Sequence, residues 1–392
     1  MFRWLADRLA DARQPSFLLP FILFCLLLAI WPNSRPYFGD ELSAIEMTRG
    51  SVGQTIGVVA ADVPPPLYFL LLKAVRAIGG ERGWVLRLLS VICAIGAFGF
   101  LWAVARRFFG RSVGVAAWLL ATSSFVVFSS RFIRYYSLGL LETAAATYLL
   151  LLLLERPTRR LWIVYGAVIA LSLYTFYLSV ITIAAHAIVF AIAWRREPRR
   201  FIPPLLVVAV VGLLFAPWVG VMGRQIGRIA AHPAAINLGG RTQAAAGQIA
   251  YTFYAFVASD SISPFALPFS LAVVVFYAIL TALGVRRVWQ GRTARRHVIL
   301  AMVALGLGAP AAMRLVGWLP APFIFVPLRL LFVAPFFILI VACGILAIGN
   351  RRVRAAAFAT AIAVQAISLY NYYWSRQWTN WAYVVPATEI NA

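Results

Sequence analysis

Long unbroken apolar runs alternate with short polar stretches along most of this chain. Each run is about 17–25 residues, enough to cross about 30 Å of hydrocarbon as a helix. The runs are continuous rather than alternating residue by residue, which argues against a transmembrane barrel. The pattern predicts membrane helices over residues 16–31, 84–105, 112–130, 135–154, 161–179, 180–194, 201–218, 264–285, 298–316, 328–349 and 355–373. The expected fold is an all-α integral membrane bundle of about eleven spans. Residues 32–83 form the first external segment, with short juxtamembrane helices over 40–50 and 52–61. An amphipathic piece follows from the proline run Pro64-Pro65-Pro66 to Ile78. Proline suits a first helical turn and forbids helix before it. Residues 219–262 read as a long external loop and 374–392 as a short external tail. No repeat or linker divides the chain, so residues 1–392 read as one transmembrane domain.

Composition supports a membrane protein: 63% of the 392 residues are hydrophobic, against about 45–50% in soluble domains. The net charge of +23 raises nucleic acid as a partner, but its distribution argues otherwise. Basic residues cluster between apolar runs, at Arg106 to Arg111, Arg156 to Arg160, Arg195 to Arg200, Arg286 to Arg296 and Arg351 to Arg354. This is the pattern of cytoplasmic loops, which anchor topology and meet anionic membrane lipid. With Arg3, Arg8 and Arg13 before the first run, the N-terminus is expected in the cytoplasm and the C-terminus outside. Cys25, Cys93 and Cys343 each lie within an apolar run and suggest neither a disulfide framework nor a metal site. Arginine is abundant and Lys73 is the one lysine, which points to a bacterial source.

Acids partition to the other side. Asp40, Glu41, Glu46, Asp62, Glu81, Asp260 and Glu389 all fall in segments assigned as external. Asp40-Glu41 follows the first apolar run directly. A charge beside hydrocarbon is costly and marks a functional candidate, although acids also suit the first turn of a helix. If the segment is helical, the two side chains diverge by about 100° and only one faces a given cavity. Asp40 is the preferred base, with Glu41 as its hydrogen-bonding or structural partner.

Three further stretches complete an ordered set: Asp62-Val63-Pro64-Pro65-Pro66-Leu67-Tyr68, Leu86-Arg87-Leu88-Leu89-Ser90, and Arg131-Phe132-Ile133-Arg134-Tyr135-Tyr136-Ser137. Together with Asp40-Glu41 they give the chain a resemblance to the GT-C-fold glycosyltransferases. It is similar to bacterial relatives of the protein O-mannosyltransferases and of the lipid A aminoarabinose transferases. The resemblance is firm over residues 20–200 and returns weakly at Pro327-Leu328-Arg329-Leu330-Leu331 and Arg376-Gln377-Trp378. It implies a sugar donor on a polyprenyl phosphate, an active site on the external face of a bacterial inner membrane, and a catalytic acid in the first external loop.

The chemistry itself needs a base for the acceptor hydroxyl and cations for the departing phosphate. Asp40 and Glu41 stand at the family's catalytic position. Arg134 matches the family's Arg before Tyr and is assigned to the donor phosphate. Arg131, three residues earlier, would face the same way on a helix, with snorkelling to headgroups as its other reading. Arg329 is a further phosphate candidate. Asp62, Tyr68, Tyr135 and Tyr136 are expected to line the substrate site. The chain departs from the family in having Val63 and Pro64 where relatives carry Glu, His or Lys, which weakens any metal contact there. No cofactor is required; a divalent metal is allowed. Glu142, inside a helix, is expected neutral or paired, and His186 a buried hydrogen-bonded side chain. His232 and His297 read as loop residues. The expected acceptor is an external glycan or protein. A lipid-linked sugar flippase and a polyprenyl-diphosphate-dependent polymerase or ligase are the rival readings. Repeated halves with paired broken helices, which a transporter would show, are not apparent.

Overall fold

The computed structural model describes residues 15–30, 37–230, 242–259, 261–262, 267–290, 296–311, 327–374 and 384–385. The readings on Arg3, Arg8, Arg13, His232, Asp260, Arg376-Gln377-Trp378 and Glu389 lie outside these residues. Helices dominate: α1 (Pro15–Ala29), α2 (Gly39–Glu46), α3 (Val52–Ala61), α4 (Leu67–Gly79), α5 (Gly83–Phe109), α6 (Val113–Thr122), α7 (Ser124–Ser129), α8 (Tyr136–Glu155) and α9 (Arg159–Thr175). They continue as α10 (Ser179–Trp194), α11 (Ile202–Ala230), α12 (Thr242–Ala258), α13 (Leu267–Gln290), α14 (Arg296–Val303), α15 (Ala334–Ala347) and α16 (Arg351–Trp374). Two-residue strands, β1 (Tyr37–Phe38) and β2 (Val384–Val385), pair antiparallel.

Five helical stretches among the described residues are long and apolar enough to cross a membrane. The count of eleven spans is not reached on that criterion, because α1, α10 and α15 are apolar but shorter. The surface of α11 exposes Leu205, Leu206, Val208, Val210, Leu213 and Leu214. In water such a patch would drive association; in a bilayer it is the face a helix must present.

The structure alters the expected elements in three places. The run over 112–130 is broken at Ser123, whose Oγ caps α7 by accepting from Val126 N–H at 3.3 Å. The break is pinned from α16. Gln365 Oε1 accepts from Ser124 N–H at 2.9 Å, and its amide donates to the Val257 carbonyl at 2.8 Å. Second, residues 219–262 are not one loop: α11 continues through Pro217 to Ala230, and α12 follows, burying Tyr254 to Ala258. Third, the run over 328–349 opens with a 3₁₀ turn, Pro327–Leu330, before α15 begins.

Polar ties bridge the apolar helices. Thr143 of α8 meets Thr182 of α10 at 3.2 Å. Thr147 gives its hydroxyl proton to the Thr143 carbonyl, so it must accept from His186 Nε2–H at 3.1 Å. His186 Nδ1 is then left to accept from Tyr165 O–H, also at 3.1 Å. His186 is thus the buried, doubly bonded side chain the sequence suggests. Glu142 Oε1 accepts from Thr175 Oγ1 at 2.8 Å, within the same interface.

The bundle has two distinct ends. Arg107 of α5 meets Glu155 of α8 at 3.2 Å, so both helices finish at the same end. The starts of α5 and α8, near Arg87 and Tyr136, therefore lie at the opposite end, beside α2. The turn Pro327–Leu330 packs against α8 at that same end, which sends the far end of α15 toward the Arg107–Glu155 side.

α13 and α15 cross backbone to backbone. A Cβ on Gly344 would stand 1.8 Å from the Leu280 carbonyl oxygen, and one on Gly284 would stand 2.2 Å from that of Ile340. Small residues at crossings are what let apolar helices gain contact in lipid. Gly344→Ala should therefore lower stability by roughly 1–3 kcal/mol in detergent unfolding. Gly349→Ala, where a Cβ meets nothing within 4 Å, should leave it unchanged.

Candidate functional site

The segment after β1 is helical, so Asp40 and Glu41 diverge as their spacing requires. The Asp40 side chain is 61% exposed and that of Glu41 is 2% exposed. Glu41 is the third residue of α2 and accepts from the Phe38 N–H at 3.0 Å through Oε2. That is the return bond of a capping box. Its Oε1 accepts from the Ile133 N–H at 3.0 Å, and Arg87 Nη2 stands 3.6 Å from Oε2. Arg87 in turn covers the Tyr37 ring at 5.0 Å. A buried carboxylate persists only when its oxygens are engaged in this way.

The partner in this contact is the strap of residues 130–135 between α7 and α8. The strap is built of turns and bends rather than helix. It is gripped from two sides. Glu41 holds the Ile133 amide, and Ser90 of α5 donates to the Phe132 carbonyl at 2.6 Å. Having spent its proton there, Ser90 accepts from Tyr68 O–H at 3.1 Å. Tyr68 is fully buried, and burial, ahead of all other influences, pushes its phenol up. Its hydroxyl is therefore used inside the protein, holding the strap through Ser90.

Held this way, the strap sends its arginines in different directions. Arg134 Nη2 meets Asp40 Oδ1 at 3.0 Å with the guanidinium 9% exposed. Burial alone would lower this group, but Asp40 and then Tyr136 and Tyr135 outweigh it, and it stands above its ordinary value. Arg131 lies over the rings of Tyr372 and Tyr373 at 5.7 and 5.5 Å, at the end of α16. The expectation that both arginines share one helical face fails because the strap is not helical.

Tyr136, at the start of α8, lies within electrostatic reach of Arg329, Arg134 and Asp40. Arg329 is half-buried in the 3₁₀ turn before α15. One acid and two guanidinium groups from three segments thus act on one phenol, with Tyr135 packed beside it at 4.9 Å. Arg134 Nε and the hydroxyls of Ser129 and Ser130 are buried with no hydrogen-bond partner among the described residues. Buried donors in this state call for an acceptor. Ser129 and Ser130 were not singled out from sequence, since serines in an apolar run carry no distinguishing pattern.

Asp62 is the C-cap of α3, half-buried, and is placed by a different tie. Gln225 and Arg228 of α11 donate to the last carbonyls of α3: Gln225 to Val59 at 3.1 Å and Arg228 to Ala61 at 2.8 Å. These are carbonyls a helix end leaves free. Among the described residues no three His, Cys, Asp or Glu side chains gather into a metal-holding set.

Residues 62–220 match the family described as dolichyl-phosphate-mannose-protein mannosyltransferase. No curated protein matches the chain. Among solved structures, the chain resembles ArnT from Cupriavidus metallidurans bound to undecaprenyl phosphate, with TM-score 0.57 at 15% identity over 93% of this chain and 63% of ArnT. It resembles the oligosaccharyltransferase of Archaeoglobus fulgidus, in complex with zinc and sulfate, with TM-score 0.57 at 14% identity over 92% of this chain and 53% of that one. The archaeal enzyme AglB, from the same organism and in complex with an inhibitory peptide and a dolichol-phosphate, gives TM-score 0.52 at 14% identity over 94% and 52%. The chain therefore spans between about half and two thirds of the length of these neighbours. ArnT and AglB are GT-C-fold glycosyltransferases, and the resemblance read from the sequence stands at the level of fold.

Removing the Glu41 carboxylate would take the acid from beside the buried Arg87 and leave two amide groups without their acceptor. Glu41→Ala should cost about 3–5 kcal/mol, read as a fall in unfolding temperature. In a double-mutant cycle, Glu41→Ala with Arg87→Ala should lose clearly less than the sum of the two single losses.

Proposed function

We propose that this chain is a membrane glycosyltransferase that moves a sugar from a polyprenyl-phosphate donor to a hydroxyl acceptor by a single inverting displacement. The observation that carries the reading is the 3.0 Å pairing of an exposed carboxylate, Asp40, with a buried guanidinium, Arg134. The match of residues 62–220 to a mannosyltransferase family that uses a lipid phosphate donor supports it. So does the likeness to ArnT bound to undecaprenyl phosphate.

In this reading Asp40 takes the proton of the acceptor hydroxyl. The acceptor oxygen bonds to the anomeric carbon as the bond from that carbon to the phosphate oxygen breaks. The electron pair leaves with polyprenyl phosphate, whose added negative charge falls to Arg134, assisted by Arg329. Arginine suits this task because its fork matches phosphate oxygens and it keeps its charge beside lipid. Ser129 and Ser130 offer the same anion two further donors. Before substrate arrives, Arg134 orients Asp40; as the phosphate anion develops, the guanidinium has two acids to serve. Tyr135 and Tyr136 flank the sugar. The acceptor, an external glycan or protein, reaches Asp40 from its exposed side. The site then faces the exterior of a bacterial inner membrane, with the basic loops in the cytoplasm.

Purified protein in liposomes, supplied with a polyprenyl-phosphate sugar and a glycan acceptor, tests this. Asp40→Asn should lower formation of the glycosidic bond by about 10²–10⁴-fold, the range of a lost general base, while donor lipid still binds. Wild-type turnover in Asp40→Asn, or lipid crossing the bilayer with no new glycosidic bond in the wild type, would overturn it.

A further inference from the structure

The end of the bundle opposite Asp40 carries nearly all the clustered arginines, and the acids described there, Glu155 and Glu197, are already engaged. Glu155 takes Arg107 at 3.2 Å and Glu197 takes Arg200 at 2.7 Å. At this end the last turns of α13 and the end of α15 enclose a hollow of about 480 Å³. It is lined by Leu283, Arg286, Arg287, Gln290 and Ala347. Arg287 is fixed in place, donating from Nη1 to the Leu346 carbonyl, one of those a helix leaves free at its C-terminus. A guanidinium has several more N–H groups than that single bond employs. Arg286 stands one residue away and Gln290 one turn further on, and no acid among the described residues lines the hollow.

Its depth fixes the kind of ligand. α13 is apolar up to this point, and it exposes Trp289 at 87%, a residue type that settles at the headgroup level of a bilayer. The guanidinium groups therefore lie where phosphodiesters lie, above a wall that begins with Leu283. Basic hollows between helices at a membrane surface suit phosphate headgroups. We propose that this hollow binds the phosphodiester of an anionic phospholipid from the leaflet opposite the Asp40 site, seating α13 against α15. The recognised chemistry is a phosphoryl anion, and free inorganic phosphate offers the same oxygens without the chains. This binding is independent of the reaction proposed above.

Native mass spectrometry of the purified full chain, incubated with equal amounts of phosphatidylglycerol and phosphatidylcholine, reads the site. The wild type should retain phosphatidylglycerol about fivefold over phosphatidylcholine, as a charge-selecting site requires. Arg286→Gln with Gln290→Leu should bring the ratio to parity. Ala347→Trp, which fills the hollow without changing charge, should do the same. Arg195→Gln, an exposed cation elsewhere on this end, should leave the ratio unaltered. A large excess of inorganic phosphate should not displace the lipid. Equal retention of both lipids by the wild type would overturn the proposal. So would wild-type selectivity in Ala347→Trp, an equal loss in Arg195→Gln, or displacement by inorganic phosphate.

Discussion

The arrangement at the candidate site depends on one buried carboxylate. Glu41 accepts from two amides and faces Arg87, and these partners belong to β1, the 130–135 strap and α5. Each of them alone would be a desolvated polar group near hydrocarbon, and a desolvated charge is the costliest state a side chain can occupy there. Bringing them together satisfies all of them at once. The register of α2 against the strap is therefore set by these polar contacts together with apolar packing, since Ala44, Ile45 and Ile133 share one buried cluster.

That register gives the neighbouring residue its position. Because α2 is helical, the side chain before Glu41 is turned away from the buried face and reaches the strap from outside. Asp40 meets Arg134 there, one residue beyond the strap's contact with Glu41 and two beyond its contact with Ser90. Two adjacent acids thus do different work. The buried one fixes geometry and is fully engaged, and the exposed one keeps a free face for a ligand. A single turn of helix is enough to separate the roles.

Much of this was legible in the chain. The apolar runs locate most helices within a few residues, and the proline run marks the start of α4, whose N-cap is Pro66. The Asp40-Glu41 pair stands out because acid is scarce. What stayed hidden depends on partners distant in sequence. Nothing around Gln225 or Arg228 shows that they cap α3, so the second half of α11 resembles a polar loop. The break at Ser123 is stabilised by Gln365, which holds the Ser124 amide from 241 residues further on, and serine in an apolar run is otherwise neutral. Arg131 and Arg134 have the spacing of one helical face, yet a strap that is not helical parts them. Local pattern reports hydrophobicity and charge; which polar groups satisfy one another is settled only by the fold.

The same accounting applies to the two ends of the molecule. At the Asp40 end, acids and arginines alternate between segments and largely neutralise one another, leaving a local set of buried donors with nothing yet to hold. At the other end arginines outnumber acids among the described residues, and a surplus of this sign calls for an anionic counterion. A membrane supplies one, since the headgroup layer of a leaflet rich in anionic lipid is a counterion held at fixed depth. The charge asymmetry leaves each end in want of an anion. In the proposed reaction one end meets that demand with a phosphate whose charge grows during transfer, and in the proposed lipid site the other meets it with a phosphate that stays with its lipid.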